Sequence, residues 1–310
     1  MVAAGYAGGE ILAETRLERW TSGSAERDLE TLAETTREVM AAASVAAPAV
    51  RALGLSAPGP LDPVAGVVHE APNLPGWVAV RVRERLARAL EVPVRLENDA
   101  NAAALAEWRF GAGRGASSVL FLTMSTGVGA GMVLDGGLHR GRHFLAGEVG
   151  HIPVAPGGRA CNCGLRGCLE AYTGGAAIAT RIREDLERGQ GASLLERANG
   201  DPAGIDARLW VEAVREDDAY ALGIYTEFLD QLAQGLAILV PLLDPERIVL
   251  GTIVQRNPDL FLDPLRQRVR ERIWKFFPEL RILAGELGPR LPALAALAVA
   301  ALEEAPGSRP

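Results

Sequence analysis

The sequence predicts an α/β fold, and three observations lead to this prediction. Helix-like and strand-like segments alternate along the 310 residues, 48% of the residues are hydrophobic, and glycine- or proline-rich turns separate the segments. Such alternation is typical of layered α/β proteins. The apolar fraction is sufficient for a folded core and excludes a disordered chain. At roughly 150 residues per domain, the length favours two domains.

Hydrophobic spacing and turn residues define the elements of the first half. Leu29, Leu32 and Val39 lie on one face of a predicted helix, and good helix formers dominate the third helical segment. In order, we predict a helix over 26–47, a strand over 51–56 ended by Ala57-Pro58-Gly59-Pro60, a helix over 78–91, a strand over 94–97 and a helix over 101–110.

The second half begins with two β-rich runs that glycine separates, and it contains one long apolar helix. An alanine- and leucine-rich helix with proline near its first turn ends the series. In order, we predict strands over 118–124 and 130–134, a helix over 220–243, a strand over 247–250 and a helix over 292–304.

The glycine-rich segment 111–115 is a candidate hinge and sets the predicted domain boundary. We predict a small N-terminal lobe over residues 1–110, joined by the C-terminal helix at about 292–304. The large lobe is predicted over residues 111–291.

The charge balance is acidic, with 32 basic and 39 acidic residues and a net charge of −7. This argues against nucleic acid as the main partner, because phosphate binding needs a basic face. It also argues against attachment to an anionic membrane. No run reaches the roughly 18 apolar residues of a membrane span, and the N-terminus lacks the pattern of a signal peptide. We therefore expect a cytoplasmic protein.

The three cysteines, Cys161, Cys163 and Cys168, lie within eight residues, and His151 precedes them by ten. Three thiolates and one imidazole form a complete tetrahedral set for Zn²⁺. The alternative is three unrelated buried thiols, but their confinement to one loop of the large lobe favours a metal. Four protein ligands leave no open position, so the site is predicted to be structural. One imidazole nitrogen would bind the metal and leave the other free.

A second candidate is Asp99, in the run Glu97-Asn98-Asp99-Ala100-Asn101. Asp and Asn are good helix N-caps, so capping alone could explain the run. The functional interpretation is a general base at the end of a strand, where α/β folds collect such residues. A carboxylate there could accept the proton of a hydroxyl group, as phosphotransferases require.

A glycine-rich loop over 123–131 joins the two β-rich runs. Its glycines would let backbone amides approach a phosphate, and Thr126 could add a hydroxyl group. The alternative is a plain hairpin turn. The loop is neither a P-loop nor a dinucleotide-binding fingerprint, because no Gly-Lys-Ser/Thr follows and the next element is a strand.

Several polar residues have no evident structural task. Their carboxylate, imidazole and amide groups would suit a polyhydroxylated ligand, whose hydroxyl groups both donate and accept hydrogen bonds. Each residue alone would more often be a surface residue. The set is Asn73, Asn98, Glu148, His151 and Glu170.

These motifs resemble the ROK family of bacterial sugar kinases and related repressors over nearly the whole chain. The run Gly147-Glu148-Val149-Gly150-His151 followed by the cysteine cluster is highly specific, whereas the glycine loop alone is not. The other matching segments are Ala57–Pro60, Ala71–Asn73 with Gly76-Trp77, Glu97–Ala103, Thr126–Gly131, Cys161–Glu170 and Ile248–Gly251.

The resemblance implies an actin-like ATPase (ribonuclease H-like) fold, with two lobes and an interlobe cleft that holds ATP and a hexose. It implies ATP-dependent, glucokinase-like phosphorylation of a hexose, with mannose or N-acetylated hexosamines as other acceptors, and a dimer or tetramer. Mg²⁺ would accompany ATP. The implied roles are Asp99 as the base; Asn73, Asn98, Glu148, His151 and Glu170 for the sugar; His151, Cys161, Cys163 and Cys168 for structural zinc; Thr126, Gly127, Gly129 and Gly131 for the phosphates; and Gly251 for adenosine.

Two departures from the family pattern bear on activity. Kinases of the family open with Asp-x-Gly-Gly-Thr, which grips phosphate and organises Mg²⁺, whereas Met1–Gly5 resembles the segment just after that motif. Either the true start lies upstream and the protein is a full kinase, or the chain is an impaired kinase. The related alternative is a catalytically silent sugar-binding paralogue or regulator without its own DNA-binding domain. Thr252 also stands where a second glycine is common.

Overall fold

Each of two compact units is organised around parallel strands. The computed structural model describes residues 1–18, 21–71, 74–277 and 280–302. Unit 1 comprises Met1–Ser117, Gly131–Ala146 and Glu286–Pro310, and unit 2 comprises Ser118–Ala130 and Gly147–Gly285. The lobes predicted from the sequence, 1–110 with 292–304 and 111–291, divide the chain differently and stay a prediction.

Unit 1 begins with a hairpin and continues as alternating strands and helices. Its elements before residue 117 are β1 (Val2–Gly5), β2 (Ile11–Thr15), α1 (Ala25–Ala42), β3 (Leu53–Ala57), β4 (Leu61–Asp62), β5 (Val67–Glu70), β6 (Val78–Arg81), α2 (Val82–Leu90), β7 (Val94–Asn98) and α3 (Asp99–Phe110).

The pairing of β3 with β7 positions the first half of the candidate site. The two strands are parallel and in register from Leu53 opposite Val94 to Ala57 opposite Asn98. Their carboxyl ends therefore lie at one edge, where polar groups of α/β proteins collect. The turn after β3 and the Asn98-Asp99 pair at the end of β7 lie at this edge, and the ideal Cβ position of Gly59 lies 3.4 Å from Nδ2 of Asn98.

The remaining elements run from residue 119 to residue 300 and complete both units. They are β8 (Val119–Met124), β9 (Val128–Leu134), β10 (Gly137–Leu138), α4 (Glu170–Thr173), α5 (Gly175–Glu187), α6 (Ala192–Arg197), α7 (Ala207–Arg215), α8 (Ala219–Leu243), β11 (Arg247–Leu250), α9 (Thr252–Arg256), α10 (Pro258–Arg270), β12 (Arg281–Ala284) and α11 (Leu291–Ala300).

The final helix, α11, packs closely on β3 within unit 1. A Cβ atom on Gly54 would lie 2.0 Å from the Ala296 carbonyl oxygen and 2.4 Å from the Ala300 nitrogen. Glycine is therefore required at position 54, because any side chain there would push the helix off the strand. A separate apolar core forms beneath β5 and α2, with Trp77, Val68, Val82 and Leu86 almost completely buried.

The sheet of unit 2 has β11 at its centre, between β8 and β12 and parallel to both. The start of β9 borders β8 on the other side. Around the sheet, Trp210, Phe228 and Phe261 form an aromatic cluster with ring centroids 5.2–6.2 Å apart. This cluster anchors helices α7, α8 and α10 to one another.

Most predicted elements have counterparts, and one differs in type. Residues 78–81 form strand β6 rather than the first turn of a helix. Val80 pairs opposite Val68 of β5, and Val78 and Val80 have the branched side chains that favour strands. In the described ranges, no helix is both long enough and apolar enough to span a membrane.

Candidate active site and metal centre

Asn98, and not Asp99, is the cap of helix α3. Oδ1 of Asn98 accepts hydrogen bonds from the N–H groups of Ala100 and Asn101, at 2.9 and 3.3 Å. Asp99 adds one bond, in which its Oδ1 accepts from the N–H of Ala100 at 2.8 Å. Asn98 therefore caps the helix, and capping does not explain why position 99 carries a carboxylate.

The surroundings of Asp99 suit a proton acceptor. Nearby protein atoms remove part of the hydration of its carboxylate and raise its pKa, although hydrogen bonds from the Ala100 N–H and the Asn98 side chain oppose this rise. The residue nevertheless keeps access to solvent. A base whose pKa is raised towards neutrality is better matched to general base catalysis.

The predicted metal ligands come together in unit 2. One donor atom each from His151, Cys161, Cys163 and Cys168 lies within 4.8 Å of the other three. Sγ of Cys163 and Sγ of Cys168 are 3.7 Å apart, and Sγ of Cys161 is 3.8 Å from Nδ1 of His151. In a tetrahedron with Zn–S bonds of about 2.3 Å, neighbouring sulfurs are about 3.8 Å apart. The donor set and its spacing therefore fit Zn²⁺.

Without a cation, the thiols of this cluster differ in acidity. Burial raises the pKa of Cys168 to about 12 and also raises the pKa of Cys161. A backbone hydrogen bond from Leu165 lowers the pKa of the exposed Cys163. Since a metal binds thiolates, a cation entering here must displace the protons of the two buried thiols.

Short backbone pairings shape the loop that carries the cysteines. Pro153 pairs with Cys168, and Ala160 pairs with Arg166, both antiparallel. A Cβ atom on Gly167 would lie 1.8 Å from the Ala155 carbonyl oxygen, and its φ is +79°. Glycine is needed at position 167 because the loop closes on itself there.

His151 links the metal cluster to Glu148. While its Nδ1 faces Cys161, its Nε2 lies 3.8 Å from Oε2 of Glu148. The two ring nitrogens thus face different groups. Glu148 is mostly exposed, with 56% of its side chain accessible, so its carboxylate is open to a ligand.

Glu170 joins the metal cluster to the glycine loop. Its Oε2 accepts a hydrogen bond from the Val128 N–H at 2.8 Å, and its Oε1 lies 3.8 Å from Sγ of Cys161. A Cβ atom on Gly127 would lie 2.5 Å from Oε2 of Glu170. Glycine at position 127 therefore allows the carboxylate to approach the loop.

The glycine loop lies at the carboxyl edge of the parallel strands. It leaves β8 at Met124, and Gly251 follows the neighbouring strand β11 and donates its N–H to the Leu122 carbonyl at 2.7 Å. The carbonyls of Ser125 and Thr126 accept hydrogen bonds from the first amides of α5, those of Gly175 and Ala176. Thr126, Gly127 and Gly251 thus belong to one edge of the unit 2 sheet, and Gly129 follows within β9.

Gly131 has a different environment. It belongs to unit 1, where its ideal Cβ position lies 2.5 Å from Cβ of Ala104 and 2.6 Å from the Ala100 carbonyl. Close packing of β9 on α3 accounts for this glycine, and its predicted contact with phosphate stays a prediction. Asn73 lies outside the described residues.

Thr252 has a left-handed backbone, with φ of +46°. Its Oγ1 lies 2.8 Å from Oγ1 of Thr123, so the two hydroxyl groups share a hydrogen bond. A β-branched residue is strained in this region of backbone space, whereas glycine is not.

Thr252→Gly is expected to be more stable than Thr252→Ala by about 1 kcal/mol. Both variants lose the hydroxyl group, but only glycine adopts the left-handed conformation freely. Urea unfolding of the two variants measures the difference. Equal stabilities would contradict the strain at this position.

Some functional candidates have no recognisable signal in the sequence. Arg140 contacts Glu97 beside the Asp99 turn, although 43 residues separate them. Tyr172 of α4 accepts a hydrogen bond from the Arg159 N–H at 2.9 Å. This bond holds the loop that carries the cysteines against α4. Only the charge of Glu97, directly before Asn98-Asp99, could have drawn attention to that residue.

A family model described as "ROK family" matches residues 1–302. The chain is 36% identical over 269 residues to a glucokinase from Thermotoga maritima. The aligned region covers 87% of this chain and 83% of the relative. The chain belongs to the ROK family.

Solved ROK structures are similar over almost the whole chain. A ROK hexokinase from Thermus thermophilus superimposes with a TM-score of 0.81 at 35% identity, covering 94% of this chain and 91% of that one. A ROK family glucokinase from Streptomyces griseus, solved with glucose and AMPPNP, gives a TM-score of 0.75 at 32% identity, covering 94% and 92%. The predicted α/β, actin-like ATPase fold of ROK proteins is confirmed.

Proposed function

We propose that this ROK protein is a glucokinase-like enzyme that transfers the γ-phosphoryl group of ATP to a hydroxyl group of a hexose. The observation that carries the proposal is Asp99. Its carboxylate lies at the carboxyl ends of two parallel strands, its neighbour Asn98 caps the helix, and partial desolvation by nearby protein atoms raises its pKa. The similarity to glucokinases, one of them solved with glucose and AMPPNP, supplies the reaction class.

In the proposed reaction, Asp99 accepts the proton of the sugar hydroxyl group. The sugar oxygen forms a bond to the γ-phosphorus of ATP while the bond between that phosphorus and the β–γ bridging oxygen breaks, and ADP leaves. The base contributes by making the attacking oxygen more nucleophilic, and orientation of the hydroxyl group contributes the rest.

The sugar would be held by amide, imidazole and carboxylate groups. We assign this role to Asn73, Asn98, Glu148, His151 and Glu170. Within unit 2, support comes from the contact of His151 with Glu148 and from the reach of Glu170 to the glycine loop.

The nucleotide would lie along the carboxyl edge of the unit 2 sheet. Thr126, Gly127, Gly129 and Gly131 are assigned to the phosphates, and Gly251 is assigned to the adenosine. The shared edge of β8 and β11 supports this assignment, because ligands of parallel sheets bind at the carboxyl ends of the strands. Mg²⁺ would enter as part of the nucleotide substrate.

His151, Cys161, Cys163 and Cys168 would hold structural Zn²⁺. Bound there, the ion supplies no reaction chemistry, because four protein ligands complete its coordination. The cysteines would fix the loop on which they lie, and this loop would in turn hold His151 and Glu170 in position. We further propose a cytoplasmic homo-oligomer, a dimer or a tetramer.

The test is an assay of the purified chain with ATP, Mg²⁺ and single sugars. Glucose, mannose, N-acetylglucosamine and N-acetylmannosamine are compared by ADP release, and calorimetry measures sugar binding separately. We expect sugar-dependent ADP release, fastest with glucose. Sugar binding without ADP release at high enzyme concentration would overturn the kinase and favour a silent sugar-binding regulator. The absence of both sugar binding and turnover would overturn the kinase and the sugar-binding regulator alike.

A further inference from the structure

The Asp99 turn, residues 98–101, is held in place by a buried acidic residue that the proposed mechanism does not use. Glu97, the residue before Asn98 on β7, is only 1% exposed. A carboxylate this deeply buried is costly unless hydrogen bonds and an opposite charge replace its lost hydration. The partners of Glu97 therefore indicate its purpose.

One oxygen of Glu97 holds both ends of the Asp99 turn. Oε1 accepts a hydrogen bond from the N–H of Asn98 and another from Nδ2 of Asn101, each at 3.0 Å. Asp99 lies between these two attachment points. Any rotation of the Glu97 carboxylate would move the backbone that carries the proposed base.

The other oxygen of Glu97 is fixed by Arg140. Nε of Arg140 donates to Oε2 at 2.7 Å, and 31% of the arginine side chain is exposed. This bond sets the orientation of the carboxylate, because Oε1 and Oε2 are rigidly connected. A charge-assisted bond of this length is among the stronger hydrogen bonds in proteins.

The backbone of Arg140 is itself anchored in unit 1. The carbonyl of Arg140 accepts from the Ala146 N–H at 3.1 Å, and the preceding residue, His139, donates its N–H to the Met132 carbonyl on β9 at 2.8 Å. The loop between β10 and Gly147 is therefore closed around position 140. Arg140 can act as a fixed point rather than as a mobile surface cation.

Asn101 makes this turn sensitive to changes in Glu97. The asparagine is 2% exposed, and within the described part of the chain its Oδ1 has no hydrogen-bond partner. Its amide is thus held through the Nδ2 bond to Glu97. Loss of that bond would leave both polar ends of a buried amide unsatisfied.

We propose that Glu97 and Arg140 form a positioning pair that sets the orientation of Asp99 for phosphoryl transfer. The inference rests on the proposed kinase function. Neither residue is assigned to the substrate. Arg140 orients the Glu97 carboxylate, and Glu97 holds the two ends of the turn. Replacing a buried ion pair by apolar residues is often harmless to stability, so orientation gives a more specific reason for the pair than stability does.

The experiment compares Arg140→Ala, Arg140→Lys, Glu97→Gln and the double variant Glu97→Gln/Arg140→Ala. We expect Arg140→Ala to lower kcat by about 10²-fold, the scale of a misplacement of about 1 Å. KM for ATP should change little, and sugar affinity by calorimetry should fall less than kcat, because Asn98 on the same turn is only one of five residues assigned to the sugar. Arg140→Lys should restore part of kcat because it keeps the charge. The double variant should lose no more than the worse single variant, since the two residues act as one unit.

Arg268→Ala is the matched control. Arg268 pairs with Asp230 between α10 and α8 of unit 2, and its side chain is 26% exposed, close to the value for Arg140. It should leave kcat unchanged. Thermal unfolding of every variant monitors a general loss of structure.

Hydrogen exchange of the 97–103 segment provides a readout that does not depend on activity. Faster exchange confined to this segment in Arg140→Ala and Glu97→Gln is expected, and unchanged exchange would overturn the inference. Additive losses of kcat, or a loss of sugar affinity in place of kcat, would also overturn it. No turnover by the wild-type chain would overturn the proposed function and the catalytic purpose of the pair, while exchange would still show whether the pair orders the turn.

Discussion

Asp99→Asn is expected to lower kcat for sugar phosphorylation by about 10²–10⁴-fold, the usual contribution of a general base. The amide oxygen can still accept the Ala100 N–H, so the turn should keep its shape. Sugar affinity measured by calorimetry should stay within about threefold of the wild-type value. Turnover that survives the substitution would contradict the assignment of the base.

The raised pKa of Asp99 has two measurable consequences, one for the pH profile of the wild type and one for the stability of Asp99→Asn. Wild-type kcat should fall as the pH falls through this pKa, so the acid limb lies above the usual aspartate range of about pH 3.9. Since the folded state disfavours the charged form, the ionised carboxylate lowers stability at neutral pH, and this cost disappears as the pH falls below the pKa. Asp99→Asn should therefore be at least as stable as the wild type at pH 7.

Asp62→Asn is the control for this variant. Asp62 also accepts backbone hydrogen bonds in unit 1, from Val64 and Ala65 at 2.8 Å, but it has no proposed role in the reaction. Its kcat and pH profile should match the wild type. A similar loss of kcat in both variants would show that the effect at Asp99 is not specific.

Cys163→Ser is expected to abolish zinc binding and, through it, to weaken both the fold and sugar binding. Elemental analysis should fall from about one zinc per chain to a small fraction, because the hydroxyl group is a poor ligand for this ion. The midpoint of thermal unfolding should fall by roughly 5–10 °C, equivalent to ~2–4 kcal/mol. Sugar affinity should fall because His151 is itself a metal ligand and Glu170 begins α4 two residues after Cys168.

The exposure of Cys163 makes this variant easy to interpret. Its side chain is exposed, unlike those of Cys161 and Cys168, so substitution leaves no cavity in the core. Asn162→Ser, at an exposed position of the same loop outside the donor cluster, should keep zinc, stability and sugar affinity. Zinc retained by Cys163→Ser, or sugar affinity unchanged after zinc is lost, would contradict the proposed coupling.

The sequence predicts the candidate site most fully where the chemistry is local. All four donors of the metal cluster lie within residues 151–168, and the structure brings their donor atoms within 4.8 Å of one another. Across so short a segment, chain connectivity and glycine turns restrict the possible geometries strongly. The Asn98-Asp99 pair was likewise placed at a strand end from the pattern alone, but only hydrogen bonds showed that Asn98 is the cap.

The sequence predicts least where tertiary packing decides a residue's surroundings. Gly131 belongs to the same glycine run as Thr126 and Gly127, yet it packs on α3 in a different unit. Residues 78–81 pair as a strand because β5 offers a partner. Neither outcome follows from neighbouring residues in the chain.

The amino-acid sequence by itself determined the α/β class, the family and the residues that form the candidate donor set for a metal, and it singled out the aspartate that we propose as the base. These follow from residue types at short spacings, which local chain geometry controls. Tertiary structure alone decided that Arg140 meets Glu97, that Glu170 reaches the glycine loop and that Thr252 adopts a left-handed backbone. Such features depend on contacts between segments distant in the chain, and the folding of the whole unit sets them.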